Sequence, residues 1–188
     1  QINFHKKNFY NILKSCRKNK QKRYAIIILF LKWPSSNVLD EGNTGGHFNL
    51  LLFDFKSKTV ERFETYGKIN LSSEKITNKF DNLFEMDIKK ELNYTYIRPL
   101  EFCPDHGFQD KEENNIINID TAFRTVGNKE LNTDPGGFCG SWSLWYANLV
   151  LKNPDIPRNK LIKSALTKMM DKNNHSLRTF IRNFSQFI

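Results

Sequence analysis

The sequence predicts an α+β domain, a mostly antiparallel central sheet flanked by helices, because strand-like segments dominate its first half and helical ones its last third. The longest apolar run, Tyr24–Trp33, reads "YAIIILFLKW" and has the length and β-branched composition of a strand. The chain has 188 residues, of which 39% are hydrophobic and 13% aromatic. That content is sufficient for one folded domain with its own core.

A helix and a hairpin are predicted around this strand. Apolar residues at helical spacing indicate a helix over Phe4–Cys16. The segments His47–Phe55 and Thr59–Glu64 read as buried strands, and Lys56 with Ser57 forms the turn between them. Together they make an antiparallel hairpin.

The remaining elements are helices, apart from one short strand. A hydroxyl cap at Ser72 predicts a helix start, and Tyr94–Arg98 reads as a strand that Pro99 stops. Residues 100–137 read mostly as loop. Three C-terminal helices are predicted, over Ser141–Leu151, Pro157–Met170 and Ser176–Phe187.

The chain reads as one domain over residues 1–188, with a basic helical extension at 1–23 and C-terminal helices at 152–188. Its formal net charge is +9, and much of that charge lies in Lys14–Arg23, "KSCRKNKQKR". Such a patch binds nucleic acid or an acidic partner, or it is simply a solvated helix end and loop. No apolar run approaches the ~20 residues of a membrane helix, so no membrane contact is expected.

The cysteines point to a reducing compartment and to one candidate nucleophile. Cys16, Cys103 and Cys139 are too few, and odd in number, for a secreted disulfide framework. Cys139 lies in "DPGGFCGSWSLWY", where a glycine-rich turn leads into the predicted buried helix. A helix N-terminus lowers the pKa of a thiol and favours the thiolate. The alternative is a small buried residue packed beside Trp142.

His47 is the candidate base, since it follows two glycines and opens a strand. With the predicted turn, Asn49 lies opposite Glu64, so His47 and Glu64 are diagonal neighbours on one face of the hairpin. The carboxylate then orients the imidazole and stabilises its protonated form. A slip of one residue in the pairing of the two strands would put His47 and Glu64 on opposite faces of the hairpin. The alternative is a solvent-facing Glu64 paired with Arg62 or Lys68.

The stretches "GGHFNLLLFDFKSKTVERFETYG" and "GGFCGSWSLWY" resemble the cysteine peptidases that include the SUMO-specific proteases and adenain, and are closest to giant-virus-type members. The resemblance covers Tyr24 to about Leu151 and implies a papain-like or adenain-like fold. It implies Cys139 as nucleophile, His47 as base and Glu64 as the orienting acid, with no cofactor.

The resemblance also implies a side-chain amide in the oxyanion hole. Gln109 in "GFQDKEE" is the best match, and Asn132 is the alternative. Phe138 and Trp142 are expected to line a narrow channel, with Gly137 leaving room for the substrate. Such a channel selects a Gly-Gly tail, because only glycine passes without a side chain.

These features predict a thiol-dependent peptidase or isopeptidase that removes ubiquitin or a ubiquitin-like modifier. A viral precursor processed during maturation is the alternative substrate. The expected location is the cytoplasm or nucleus of a host cell, or the virion. Three other interpretations are a zinc site at Cys103 and His106, which lacks two ligands, a basic nucleic-acid-binding module, and an inactive protein that binds a modifier without cleaving it.

Overall fold

The computed structural model describes residues 6–33, 45–67, 74–104, 108, 138–171 and 177–188. Within these residues the chain is an α+β structure with one four-stranded sheet and six helices. The elements, in chain order, are α1 (Lys6–Lys18), β1 (Tyr24–Trp33), β2 (Gly45–Asp54), β3 (Thr59–Phe63), α2 (Glu74–Leu92), β4 (Thr95–Ile97), α3 (Pro99–Phe102), α4 (Cys139–Lys152), α5 (Arg158–Asp171) and α6 (Leu177–Ser185).

The sheet is mixed, with strand order β1-β2-β3-β4. The pairs β1–β2 and β2–β3 are antiparallel, whereas β3 and β4 are parallel. The prediction of a mostly antiparallel sheet is therefore wrong. The cause is the connection through α2, since a helix between two neighbouring strands returns the chain to the starting end of the sheet.

The hairpin of β2 and β3 has the predicted register, with Leu50 opposite Phe63 and Asp54 opposite Thr59. The ladder ends at this second pair, so the turn has four residues rather than two. Lys58 takes a left-handed conformation there, with φ 56°. The Asp54 carboxylate accepts two backbone N–H groups inside the turn, at 2.9 and 3.3 Å. These bonds hold the turn and with it the register.

The two faces of the sheet bury side chains in two separate cores, because successive strand residues point to opposite sides. Leu50 and Leu52 face a core shared with α4, α5 and α6. Leu51 and Phe53 face a second core shared with α1 and α2. All four side chains are at most 2% exposed. β2 is therefore covered on both faces and is the centre of the fold.

Helix α4 begins two residues earlier than predicted. The carbonyl of Phe138 accepts the backbone N–H of Trp142 at 2.8 Å, which closes the first helical turn. Cys139 is therefore the first helical residue. Helix α3 was not predicted: Pro99 opens it, as proline often does at a first helical position.

A buried polar clamp holds α4 and α5 against β3. The Tyr146 hydroxyl donates to Oε1 of Glu61 at 2.8 Å, and Arg158 Nε lies 2.8 and 3.0 Å from the two oxygens of the same carboxylate. The Tyr146 ring also stacks on Phe63 with centroids 4.1 Å apart. These contacts fix the helix that begins with Cys139. Among the described helices, none is long and apolar enough to cross a membrane.

Candidate functional site

Three residues predicted for the site meet where two strand ends approach the start of a helix. His47 lies near the start of β2, Glu64 directly follows β3, and Cys139 opens α4. All three are buried, with exposures of 2%, 2% and 8%. The hairpin and the core beneath α4 thus bring together side chains far apart in the sequence.

Glu64 and His47 make a close contact. Oε1 of Glu64 lies 2.5 Å from Nε2 of His47 and also accepts the backbone N–H of Tyr66 at 3.2 Å. The Tyr66 ring lies beside the imidazole, with centroids 4.7 Å apart. The carboxylate therefore engages Nε2, which leaves Nδ1 as the ring nitrogen that can meet a thiol.

Cys139 is hydrogen-bonded to His47, and the backbone N–H groups of Phe48 and Gly140 also point to its sulfur. Burial raises the pKa of the thiol, but these hydrogen bonds outweigh burial and lower it below its ordinary value. The unpaired N–H groups of a helix N-terminus favour an anion in the same way. The site therefore favours the thiolate.

The pKa values of His47 and Glu64 shift in opposite directions. Burial lowers the pKa of His47, but the hydrogen bonds to Cys139 and Glu64 outweigh it and raise the pKa from 6.5 to about 9. Burial raises the pKa of Glu64, but the hydrogen bond and charge of His47 lower it, helped by Arg62. The pKa of about 9 favours the imidazolium form of His47 near neutral pH. The lowered pKa values of Cys139 and Glu64 shift both groups toward their anionic forms.

Arg62 lies behind this array. Its Nη1 donates to Oε2 of Glu64 at 3.0 Å and to the side-chain oxygen of Asn49. Its Nε and Nη2 lie 2.7 and 2.8 Å from the two oxygens of Asp81 on α2. Glu64 does pair with Arg62, as the alternative to the orienting role expected, but it does not face solvent. Because α2 covers this face, Glu64 is 2% exposed and Arg62 is 3% exposed. Strand alternation puts Arg62 and Glu64 on one face, but the sequence did not identify Asp81.

Trp142 occupies the core below the site. Its ring is 1% exposed and packs on Phe108 and Phe180, with centroid distances of 4.8 and 5.9 Å. This packing does not support the expected contact between Trp142 and a substrate. Phe138 is partly buried and packs against the same core directly before Cys139.

The other expected site residues lie outside the described part of the chain: Gln109, Asn132, Gly137 and His106. Cys103, the other residue of the zinc alternative, is buried, and burial raises the pKa of its thiol to about 12. Among the described residues, no three His, Cys, Asp or Glu side chains form a group that could hold a metal. The zinc alternative has no support there.

Comparison with known proteins identified a relative of the chain but no matching family. No profile of a known protein family matches it. A protein of the giant virus Acanthamoeba polyphaga mimivirus, named "Putative ankyrin repeat protein L371", is 33% identical over 168 residues. The match covers 85% of this chain and 20% of the relative. The chain therefore spans about a fifth of the length of the relative it matches.

This relative contradicts the resemblance to the SUMO-protease and adenain peptidases, because it carries an ankyrin-repeat name. The predicted functions of deubiquitinase and viral maturation protease are wrong by the same finding. The motifs that carried the resemblance are short, and a hairpin or a helix start uses such glycine-rich patterns in unrelated proteins. The expectation of a viral protein agrees with the source of the relative, a giant virus. The chain is thus similar to part of a giant-virus protein that is named for ankyrin repeats.

Proposed function

We propose that the chain is a thiol-dependent hydrolase that cleaves an acyl bond through a covalent thioester at Cys139. The observation that carries this proposal is the buried array in which one imidazole contacts both the thiol and the Glu64 carboxylate, the latter at 2.5 Å. An activated sulfur beside an imidazolium, oriented by a third group, is the arrangement that nucleophilic catalysis needs. The lowered pKa of Cys139 supports the same role.

The reaction follows from the groups present. The Cys139 thiolate attacks a carbonyl carbon, and the electron pair of the C=O bond moves to the oxygen. Backbone N–H groups at the start of α4 stabilise that oxyanion. The tetrahedral intermediate expels the leaving group, which takes the proton of the His47 imidazolium. Neutral His47 then removes a proton from water, which attacks the thioester and releases the acid and the thiolate.

Finer parts of the proposal concern the bond, the fold and the compartment. A peptide or isopeptide amide as the bond, and nucleic acid as a partner of the basic N-terminal region, stay predictions. A papain-like arrangement is part of the proposal, supported by the packing of the helix that begins with Cys139 against β2. A reducing compartment also stays a prediction.

An activated ester tests the proposal without knowledge of the natural substrate. With p-nitrophenyl acetate we expect a burst of about one nitrophenolate per chain, followed by slower turnover. Mass spectrometry is expected to find the acetyl group on Cys139. Cys139→Ala is expected to lose burst and turnover, whereas Cys16→Ala, on α1, keeps both. Unchanged turnover in Cys139→Ala, or no acetylation of the folded wild-type chain, overturns the proposal.

A second candidate function is protein binding, which the name of the relative favours. Ankyrin repeats stack into extended surfaces that bind partners. Each such repeat is about 33 residues long and contains two helices. Between Tyr24 and Phe63, by contrast, the described residues form three strands. A binding surface here is therefore built on the sheet and its helices. A folded chain that the ester does not acylate at Cys139 favours this second function.

A further inference from the structure

We infer that Arg62, held by Asp81, is a positioning residue that fixes the carboxylate of Glu64 against His47. The inference rests on the proposed function, because orientation of Glu64 matters to chemistry only if Cys139 is a nucleophile. Arg62 bonds to the oxygens of Glu64, Asn49 and Asp81. Of these three partners, Glu64 contacts His47, so Arg62 acts on the imidazole through Glu64.

The two oxygens of Glu64 are held by different partners. Oε1 contacts Nε2 of His47 at 2.5 Å, and Oε2 accepts Nη1 of Arg62 at 3.0 Å. Rotation of the carboxylate about its last bond breaks at least one of these contacts. Arg62 thus sets the plane of the carboxylate and keeps Oε1 directed at the imidazole.

Arg62 is itself fixed by elements outside the hairpin. Its bidentate pair with Asp81 has distances of 2.7 and 2.8 Å, a geometry that only the planar fork of arginine provides. The Tyr96 hydroxyl of β4 donates to the same Asp81 at 2.6 Å. Helix α2 and strand β4 therefore anchor the guanidinium from the side opposite to Glu64.

The burial of this network argues for a role in orientation. Arg62, Glu64 and Asp81 are 3%, 2% and 4% exposed. Buried ion pairs lose much hydration, and apolar residues of similar volume often serve stability as well or better. Nη1 of Arg62, the nitrogen that Asp81 does not bind, donates to Glu64. The buried pair of Arg62 and Asp81 is therefore explained best by the geometry that it imposes on Glu64.

The test measures reactivity of the sulfur rather than stability. The double variant Arg62→Met/Asp81→Leu removes both charges together, so neither is left buried alone. Iodoacetamide alkylation is followed at the Cys139 peptide by mass spectrometry, with Cys16 as internal reference. We expect the rate at about pH 6 to fall about tenfold, with the half-maximal rate moving toward the ordinary thiol pKa of about 8.5.

The double variant substitutes none of the residues that contact the imidazole of His47. His47 is faced by Glu64, Thr65 and Tyr66 after β3, and by Cys139 from α4. A purely structural role lowers the denaturation midpoint and leaves the alkylation profile unmoved. A wild-type profile in the folded double variant therefore contradicts the inference.

Two single variants complete the test. Arg62→Lys keeps a buried positive charge without the fork, and we expect it to shift the profile in the same direction. It decides the question if the double variant does not fold, since an unshifted profile in it overturns the inference. Tyr96→Phe removes one bond to Asp81 and is expected to keep the wild-type profile. If wild-type Cys139 reacts no faster than Cys16 at about pH 6, it is the proposed function that fails.

Discussion

Oε1 of Glu64 lies 2.5 Å from Nε2 of His47, just beyond the last ladder pair of the hairpin, Leu50 and Phe63. Continued by one step, that register sets Asn49 opposite Glu64, which makes His47 its diagonal neighbour. The contact is thus a consequence of strand pairing. A shift of one residue in the hairpin would place the two side chains on opposite faces.

The protonation of His47 is the most direct solution test of the array. Because the hydrogen bonds to Cys139 and Glu64 raise its pKa to about 9, the imidazole is expected to keep its proton through neutral pH and lose it as the pH rises past 9. An NMR titration of the imidazole resonances measures this. In Cys139→Ala the pKa of His47 is expected to fall, and an unchanged titration would show that the thiol is not its partner.

Neutralising Glu64 tests the orienting carboxylate. Glu64→Gln keeps the side-chain size but removes the charge that stabilises the imidazolium, so acylation by the ester is expected to slow about 10- to 100-fold. The pKa of His47 is expected to drop in the same variant. Glu91→Gln, on α2 in a surface pair with Lys14, is the matched control and keeps the wild-type rate. Wild-type acylation by Glu64→Gln is incompatible with an orienting role.

The polar clamp beneath α4 makes a prediction about stability alone. Tyr146→Phe removes the hydroxyl that bonds Glu61 at 2.8 Å but keeps the stacking ring, and Glu61 retains Arg158. We expect the free energy of unfolding to fall by about 1–2 kcal/mol, as for a lost buried hydrogen bond. Urea denaturation followed by circular dichroism measures it. The ester burst at Cys139 should be unaffected, and a lost burst would tie the clamp to the site.

Packing in the second core predicts that substitutions at two residues of α2 change the free energy of unfolding by very different amounts. Ile88 is fully buried, whereas Met86 is 71% exposed. Ile88→Ala is expected to cost about 2–5 kcal/mol through lost burial and the cavity left behind. Met86→Ala is expected to change the free energy of unfolding by less than about 0.5 kcal/mol. Equal costs for the two variants would contradict the packing of α2 on the sheet.

Local patterns predicted much of the fold. The bounds of β1 are those expected from its apolar run, and the short loop after β2 fixed the register of the hairpin. One face of β1 is partly exposed although the run is apolar. Three of its side chains are 37%, 41% and 50% exposed because β1 lies at the edge of the sheet: Ile26, Ile28 and Phe30.

What the sequence missed depends on contacts between distant elements. The direction of β4 follows from the path of α2, which no local pattern specifies. The pairing of Arg62 with Asp81 joins β3 to α2 across the second core. Short glycine-rich motifs around His47 and Cys139 reflect local geometry, so they predicted the elements better than they predicted the family.

The order of the site along the chain has a consequence for biosynthesis. The ribosome completes the hairpin with His47 and Glu64 well before it makes Cys139, the first residue of α4. Until that helix docks on β2, the nascent polypeptide has an acceptor for a proton but no activated sulfur beside it. The reactivity that we propose for Cys139 can therefore arise only after α4 has been synthesised and has packed on β2.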